Sequence, residues 1–243
     1  MVNVYIAGIA MTVFGRHPDR SLEDMAGEAL RAALKDAGCD AGDLGVAYYA
    51  GMTNGPLQGQ ISIPGQVVFS KIGIEGIPIY NVENACASGS SAFNLAVQSL
   101  RAGSADVALA LGAEKMNIPD KAKAFAIFEG GWDVSRAEAN AAVLLKMGEG
   151  ITPPPGSESD RPYSKFMAIY AAFCRWHMKT YGTTQRQIAA VCAKNHQHSV
   201  HNPWSQFRKP FTVDEVLAAP PITYPITLPM CAPLSDGAAA AIL

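Results

Sequence analysis

Basic clusters are missing from this sequence. Its 19 Lys and Arg and 21 Asp and Glu residues are interspersed, for a net charge of −2. No stripe marks a nucleic-acid partner, and no patch marks an anionic membrane surface. Long apolar runs are missing too. The longest, such as residues 105–113, have strand length and are too short to span a bilayer, so no membrane insertion is expected. Residues 2–9 form a strand-like run with no charged leader before an apolar segment, which predicts a cytoplasmic or organelle-matrix protein. The five cysteines, Cys39, Cys86, Cys174, Cys192 and Cys231, include no Cys-x-x-Cys pair. That odd count and spacing argue against a disulfide framework and against a zinc site. Four are expected to be buried as small apolar residues, and one needs another account. The glycine-rich stretch 51–65 lacks the G-x-x-x-x-G-K of a phosphate-binding loop.

What is present is an alternation of strand and helix patterns. With 243 residues, 49% of them hydrophobic, the chain can bury a sizeable core in one large or two modest domains. After the strand at 2–9, Ser21 and Asp24 form an approximate capping box. Leu22, Met25, Ala26, Ala29, Leu30, Ala33, Leu34 and Ala37 then make one helical face, closed by Gly38. Strands are expected at 46–50, 77–82 and 106–112, with a loop over 51–66 and a short helix at 63–72. A helix beyond Cys86 should present Phe93, Val97 and Leu100, with Ala92 and Ala96 beside them, and end at Gly103. This order predicts a layered, mostly parallel α/β core.

The pattern changes after Asn117. Polar and Gly/Pro-rich residues fill 118–160, including Thr152-Pro153-Pro154-Pro155-Gly156-Ser157. Helices are expected at 163–181, with Phe166, Ile169, Tyr170, Phe173 and Trp176 on one side, and at 184–199, with Ile188, Val191 and Cys192 inward. The small apolar run 236–243 then suits a strand returning to the sheet.

Cys86 falls between a strand ending near Val82 and a helix beginning near Ser88, among the small residues Ala85, Ala87, Ser88 and Gly89. A thiolate there meets the positive end of a helix dipole. Small neighbours permit an acyl thioester to approach, and opening N–H groups can hold its carbonyl oxygen. A structural cysteine at a tightly packed turn fits the same spacing, and the residues alone leave both readings open. His196, His198 and His201 invite a metal reading, but residues two apart on a helix point about 200° apart, so no metal site is expected.

The run Asn84-Ala85-Cys86-Ala87-Ser88-Gly89-Ser90-Ser91-Ala92 resembles the nucleophile motif of the thiolase superfamily. Ala108-Leu109-Ala110-Leu111-Gly112-Ala113-Glu114-Lys115-Met116 resembles that family's next strand and turn. His177-Met178-Lys179-Thr180-Tyr181-Gly182-Thr183, residues 194–207 and Ser235-Asp236-Gly237-Ala238-Ala239-Ala240-Ala241-Ile242-Leu243 are similar to the sterol-carrier-protein-type branch. The resemblance implies an α/β fold: a layered βαβαβαββ half holding a mainly helical inserted loop domain. Its expected limits are core at 1–117, insertion at 118–233 and closing strand at 234–243. It implies Cys86 as the catalytic nucleophile, with coenzyme A and acyl-CoA as substrates and no permanently bound cofactor. His177 is read as a substrate-binding residue facing the acyl-CoA cleft or, alternatively and in preference, as a histidine satisfied on a helix surface. A homo-oligomer, dimer or tetramer, is implied, or else a partner chain supplying the second half. That half normally brings a Gly-His-Pro histidine and an acid/base cysteine, and no Gly-His-Pro occurs here. Many thiolases carry Asn-Ala-Ser-Gly before the last strand, where this sequence has Met230-Cys231-Ala232-Pro233. The expected activity is cleavage or formation of 3-ketoacyl-CoA through an acyl-cysteine. The alternatives are a thiolase-like aldolase acting on 3-hydroxyacyl-CoA and a non-catalytic acyl-CoA-binding subunit. A peroxisomal matrix location is compatible with that branch.

Overall fold

A computed structural model describes residues 3–243 of the protein. Two compact units emerge: one runs to Ile127 and includes Leu234–Leu243, and the other is Phe128–Pro233.

The first unit is built on β1 (Gly8–Met11), α1 (Leu22–Ala37), β2 (Val46–Ala50), α2 (Asn54–Gln58), α3 (Pro64–Lys71), β3 (Ile79–Val82), α4 (Ser88–Arg101), β4 (Ala108–Lys115) and α5 (Lys121–Ala126). Beyond the inserted unit, the chain returns with the closing strand (Asp236–Ile242). Leaving aside the short α2 and α5, this is βαβαβαββ. The strand order is β1, closing strand, β4, β2, β3. β2 pairs parallel with β3 and with β4, whereas the closing strand runs antiparallel to both β4 and β1. The sheet is therefore mostly parallel, as expected: β1, β2, β3 and β4 share one direction, and only the closing strand, which follows the insertion, runs against them. The first strand also sits later than its apolar run suggested: β1 begins at Gly8, and Val2 lies outside the described residues.

Side-chain alternation divides the sheet between two cores. Ala47 and Tyr49 of β2, Leu109, Leu111 and Ala113 of β4, and Ala238, Ala240 and Ile242 pack with Met25, Ala26, Ala29, Leu30 and Ala33 of α1. The intervening Val46, Tyr48, Ala50, Ala108 and Ala110 pack with Ala92 and Ala96 of α4. With both faces covered, β4 reads as an unbroken apolar run. Full burial of one residue such as Leu109 contributes about 2 kcal/mol. The expected face of α4 packs on the sheet, with Ala92 and Ala96 beside it as the wholly buried residues and Phe93, Val97 and Leu100 half-buried. Alanine lets the helix backbone lie close to the sheet. A similar fit governs β1, where a Cβ on Gly8 would stand 2.4 Å from Ala33 O and from Ala37 N of α1.

α1 follows its sequence signals closely. Ser21 Oγ accepts from Asp24 N–H at 3.0 Å, the Asp24 carboxylate accepts from Ser21 N–H at 2.9 Å, and Gly38 closes the helix at φ 69°.

The second unit contains α6 (Ala137–Lys146), α7 (Lys165–Tyr181), α8 (Gln185–Ser199), α9 (Val213–Ala218), the hairpin β5 (Pro221–Thr223) with β6 (Ile226–Thr227), and a 3₁₀ turn at Leu228–Met230. The closing strand Asp236–Ile242 is thus β7. α8 opens on a Thr184–Gln187 capping box. Its wholly buried residues are Ala189 and Ala193, whereas Val191, expected inward, is exposed. On α7 the buried residues are Ile169, Ala171 and Ala172, while Tyr170 and Trp176 stand exposed. The alanines form the close-contact face, and the rings gather among themselves, as where Phe166 stacks on Trp132 at 4.7 Å. The helices α5 and α6 were hidden in sequence among Gly/Pro-rich neighbours. Residues 118–127, expected to begin the insertion, belong to the first unit; there Asp120 caps α5 and Ala124 is buried.

Candidate functional site

The carboxyl ends of the parallel strands lie together, and in open α/β sheets that is where ligands are received. β2 leads to Gly51, β3 to Glu83 and the Cys86 turn, and β4 to Glu114 and Lys115.

Five residues, Glu83 to Ala87, join β3 to α4. Ala85 takes the left-handed conformation at φ 46°, which costs a residue with a Cβ about 1–2 kcal/mol. A set of local hydrogen bonds holds it there. Ala85 N–H donates to Glu83 Oε1 at 2.7 Å, Ala87 N–H to Asn84 O at 2.9 Å, and Ser88 N–H to Ala85 O at 3.1 Å. The buried Ser88 hydroxyl clamps the turn from inside: it accepts from Asn84 N–H at 2.8 Å and donates to Ala85 O at 2.7 Å. Asn84 Nδ2 reaches Ser91 Oγ at 3.0 Å. Within this brace Cys86 is exposed. No side chain caps the start of α4. Around Gly89 the space is open: apart from its chain neighbours and its own helix backbone, no heavy atom of the described residues lies within 4 Å of where a Cβ would stand. An exposed thiol, opening N–H groups and an open surface are the parts needed for attack on a thioester or ketone and for holding its oxygen.

The other cysteines differ in surroundings. Cys39, Cys174, Cys192 and Cys231 are half-buried, not fully buried as expected, and burial pushes each thiol up.

A second polar cluster supports the strand ends. Glu114 accepts from Met52 N–H at 2.7 Å, from Thr53 N–H at 3.2 Å and from the Thr53 hydroxyl. Burial pushes its carboxyl up, the Thr53 and Met52 hydrogen bonds oppose this, and the charge of Glu83 adds to the rise. Beside it Asn54 Nδ2 donates to the Tyr49 hydroxyl at 2.6 Å, and burial holds that phenol well above its ordinary value. Its three donors give Glu114 a structural part: it pins the loop after β2. Ser88 and Ala85 were not singled out. The only signal for them was a serine two residues past the cysteine among otherwise featureless small residues.

A third cluster joins distant segments of the first unit. The wholly buried Asp236 carboxylate accepts from His17 N–H at 3.0 Å and from Asn117 N–H at 2.7 Å. Lys115 Nζ donates to His17 O at 2.9 Å, Pro18 O at 3.2 Å and Arg20 O.

His177 lies in the second unit, exposed on α7. Its Nδ1 is hydrogen-bonded to Thr183 Oγ1 at 2.8 Å, and its ring lies 4.6 Å from that of Tyr181. His196 is hydrogen-bonded through Nε2 to Pro229 O at 3.1 Å.

Comparison with known proteins places these features in context. The model of the thiolase N-terminal domain matches residues 4–218. Sterol carrier protein 2 of Bos taurus is 34% identical over 249 residues, covering 99% of this chain and 41% of the relative. Non-specific lipid-transfer protein-like 2 of Caenorhabditis elegans is 36% identical over 245 residues, covering 99% and 55%. An acetyl-CoA acetyltransferase of Methanothermobacter thermautotrophicus is 34% identical over 244 residues, covering 100% and 57%. The chain thus spans about half the length of the curated relatives it matches. Among solved structures, an Ltp2–ChsH2(DUF35) aldolase aligns with a TM-score of 0.68 at 25% identity, over 98% of this chain and 54% of that one.

Proposed function

Because this chain belongs to the thiolase family, matching its N-terminal half, we propose that it is the nucleophile-bearing half of an acyltransferase acting on 3-ketoacyl-CoA, with Cys86 forming the acyl-enzyme. The supporting observation is the exposed Cys86 thiol on a braced turn beside the open surface at Gly89. In the proposed reaction the Cys86 thiolate attacks the keto carbon. The bond between that carbon and the α-carbon breaks, and its electron pair leaves as the enolate of the shorter acyl-CoA, which takes up a proton. The thiolate of coenzyme A then attacks the acyl-cysteine, and Cys86 leaves as thiolate. Covalent catalysis splits one difficult displacement into two easier ones. The thiol's base and the enolate's proton donor are assigned to the second half of such an enzyme, carried by a longer form of this chain or by a partner, and assembly into a homo-oligomer belongs to the same reading. His177 is retained as a substrate contact within it.

The test is exposure of the 243-residue chain to acetoacetyl-CoA, followed by peptide mass spectrometry. An acetyl group on Cys86, lost in Cys86→Ala, is expected, without multiple turnovers. Repeated turnover by this chain alone would overturn the assignment of the acid and base elsewhere. No adduct on Cys86 even in the assembled enzyme would overturn the nucleophile.

The likeness to the Ltp2–ChsH2(DUF35) aldolase favours a second reading, retro-aldol cleavage of a 3-hydroxyacyl-CoA without an acyl-cysteine. Cleavage of such a substrate by an assembled Cys86→Ala enzyme would select it. Acyl-CoA binding with no modification of Cys86 by substrate and no cleavage would select a non-catalytic binding subunit.

A further inference from the structure

The second unit holds two thiols that the proposed acyl transfer does not use. Cys192, on α8, donates from Sγ to Pro229 O at 3.2 Å. Cys231 stands two residues beyond that carbonyl, at the end of the 3₁₀ turn Leu228–Met230, with its Sγ 3.8 Å from Thr227 O. Cys192 and Met230 share one apolar cluster with Ala189, Ala193 and Val216, so α8 and the turn pack side chain to side chain. Both sulfurs are half-buried, covered enough to be held and open enough for a small reagent. Burial pushes both thiols up, and for Cys231 the neighbouring Cys192 adds to the push, as expected of two thiols within electrostatic reach.

We propose that Cys192 and Cys231 form a reversible intramolecular disulfide, a redox clasp joining α8 to the turn that precedes β7, with a small-molecule disulfide such as oxidised glutathione as oxidant. The balance is that of thiol–disulfide exchange. Cys192 thiolate attacks one glutathione sulfur and expels the other as thiolate. Cys231 thiolate then attacks the Cys192 sulfur of the mixed disulfide and expels the second glutathione. The two protein sulfurs are oxidised, the two glutathione sulfurs are reduced, and the two thiol protons end on the released glutathione. The surroundings tolerate the change. Pro229 O loses the Cys192 thiol but keeps its hydrogen bond to His196 Nε2 at 3.1 Å, and His196 is held in place by the ring of Phe211 at 4.8 Å. The half-buried carbonyl is not orphaned by oxidation.

The experiment treats the folded chain with oxidised glutathione at pH 9, blocks free thiols with iodoacetamide and digests with trypsin without reductant. Running it also in Cys86→Ala separates its outcome from that of the acyl-enzyme. The sequence gives Cys192 a peptide of its own, residues 187–194, distinct from those carrying Cys174 and Cys231. The expected product is that peptide joined to the one holding Cys231, lighter by two hydrogen atoms, released by dithiothreitol and absent from Cys192→Ser and Cys231→Ser. Exchange should be slower at pH 7, since both thiols are pushed up. The proposal is overturned if both cysteines are found alkylated, if each carries glutathione in place of the other, or if the link forms only in urea.

Discussion

Replacing Ser88 by alanine removes a clamp from the Cys86 turn without touching the cysteine. The hydroxyl makes two hydrogen bonds, 2.8 Å from Asn84 N and 2.7 Å from Ala85 O, each with a net contribution of about 0.5–1.5 kcal/mol. Asn84 and Ala85 are exposed, so water can take up the released groups and the full desolvation penalty does not apply. The expected loss is about 1–2 kcal/mol, which at a urea slope of about 2 kcal/mol/M moves the midpoint by about 0.5–1 M. The probe matters because Trp132, Trp176 and Trp204 all lie in the second unit. Tryptophan emission therefore reports the insertion, and the first unit must be followed by hydrogen exchange of peptides from β3 and α4. The exchange midpoint should fall while the emission midpoint stays in place. Under the acyltransferase reading, acylation of Cys86 by acetoacetyl-CoA should also slow. Its alkylation by iodoacetamide, which needs an exposed thiolate but no bound acyl-CoA, should change less. An unchanged exchange midpoint would refute the view that Ser88 holds Ala85 at its positive φ.

Two further outcomes follow from the packing and charge of the first unit. Gly8→Ala places a Cβ 2.4 Å from two backbone atoms of α1 and should cost about 3 kcal/mol, the upper part of the overpacking range; an exchange midpoint equal to that of the parent would contradict the close approach of β1 and α1. Glu114 has its carboxyl raised, chiefly by burial, so the native state binds its proton more tightly than the unfolded chain does. Its contribution is fully present below the unfolded value, 4.5, and is lost as pH rises through the raised native value. Glu114→Gln removes that titration, so the stability difference between parent and variant should shift against the parent as pH rises from 4 towards neutrality. A difference that moves the other way over that range would show that the Thr53 and Met52 donors outweigh burial.

Much of the core could be read from spacing because it depends on local signals. Ser21, Asp24 and Gly38 mark both ends of α1, and the apolar run of β4 announces a strand covered on both faces. The Cys86 turn was legible as a strand-to-helix junction, but its brace was not. A positive φ at an alanine leaves no mark in composition and follows from the tertiary fit of Ser88 and Glu83. Helical faces were misjudged where size and burial part ways. On α7 and α8 the largest apolar residues drew attention, yet the wholly buried positions included Ala171, Ala172, Ala189 and Ala193. Close backbone packing selects small residues, and a hydrophobicity pattern weights them least. The antiparallel course of β7 could not be read either, since direction depends on where a 106-residue excursion, Phe128–Pro233, returns the chain.

That return has a consequence for the order in which the protein is made. β1 pairs with β7, Gly8 against Ile242, and the loop around His17 is tied to Asp236. A ribosome releases residues in sequence, so β1 must wait for β7 before their shared ladder can close. Until β7 follows, β4 lacks its antiparallel neighbour, and the whole inserted unit, Phe128–Pro233, is made in between. The edge of β4 that β7 later covers stays unpaired until then, and the insertion, a compact unit of consecutive residues, is the part that can settle first.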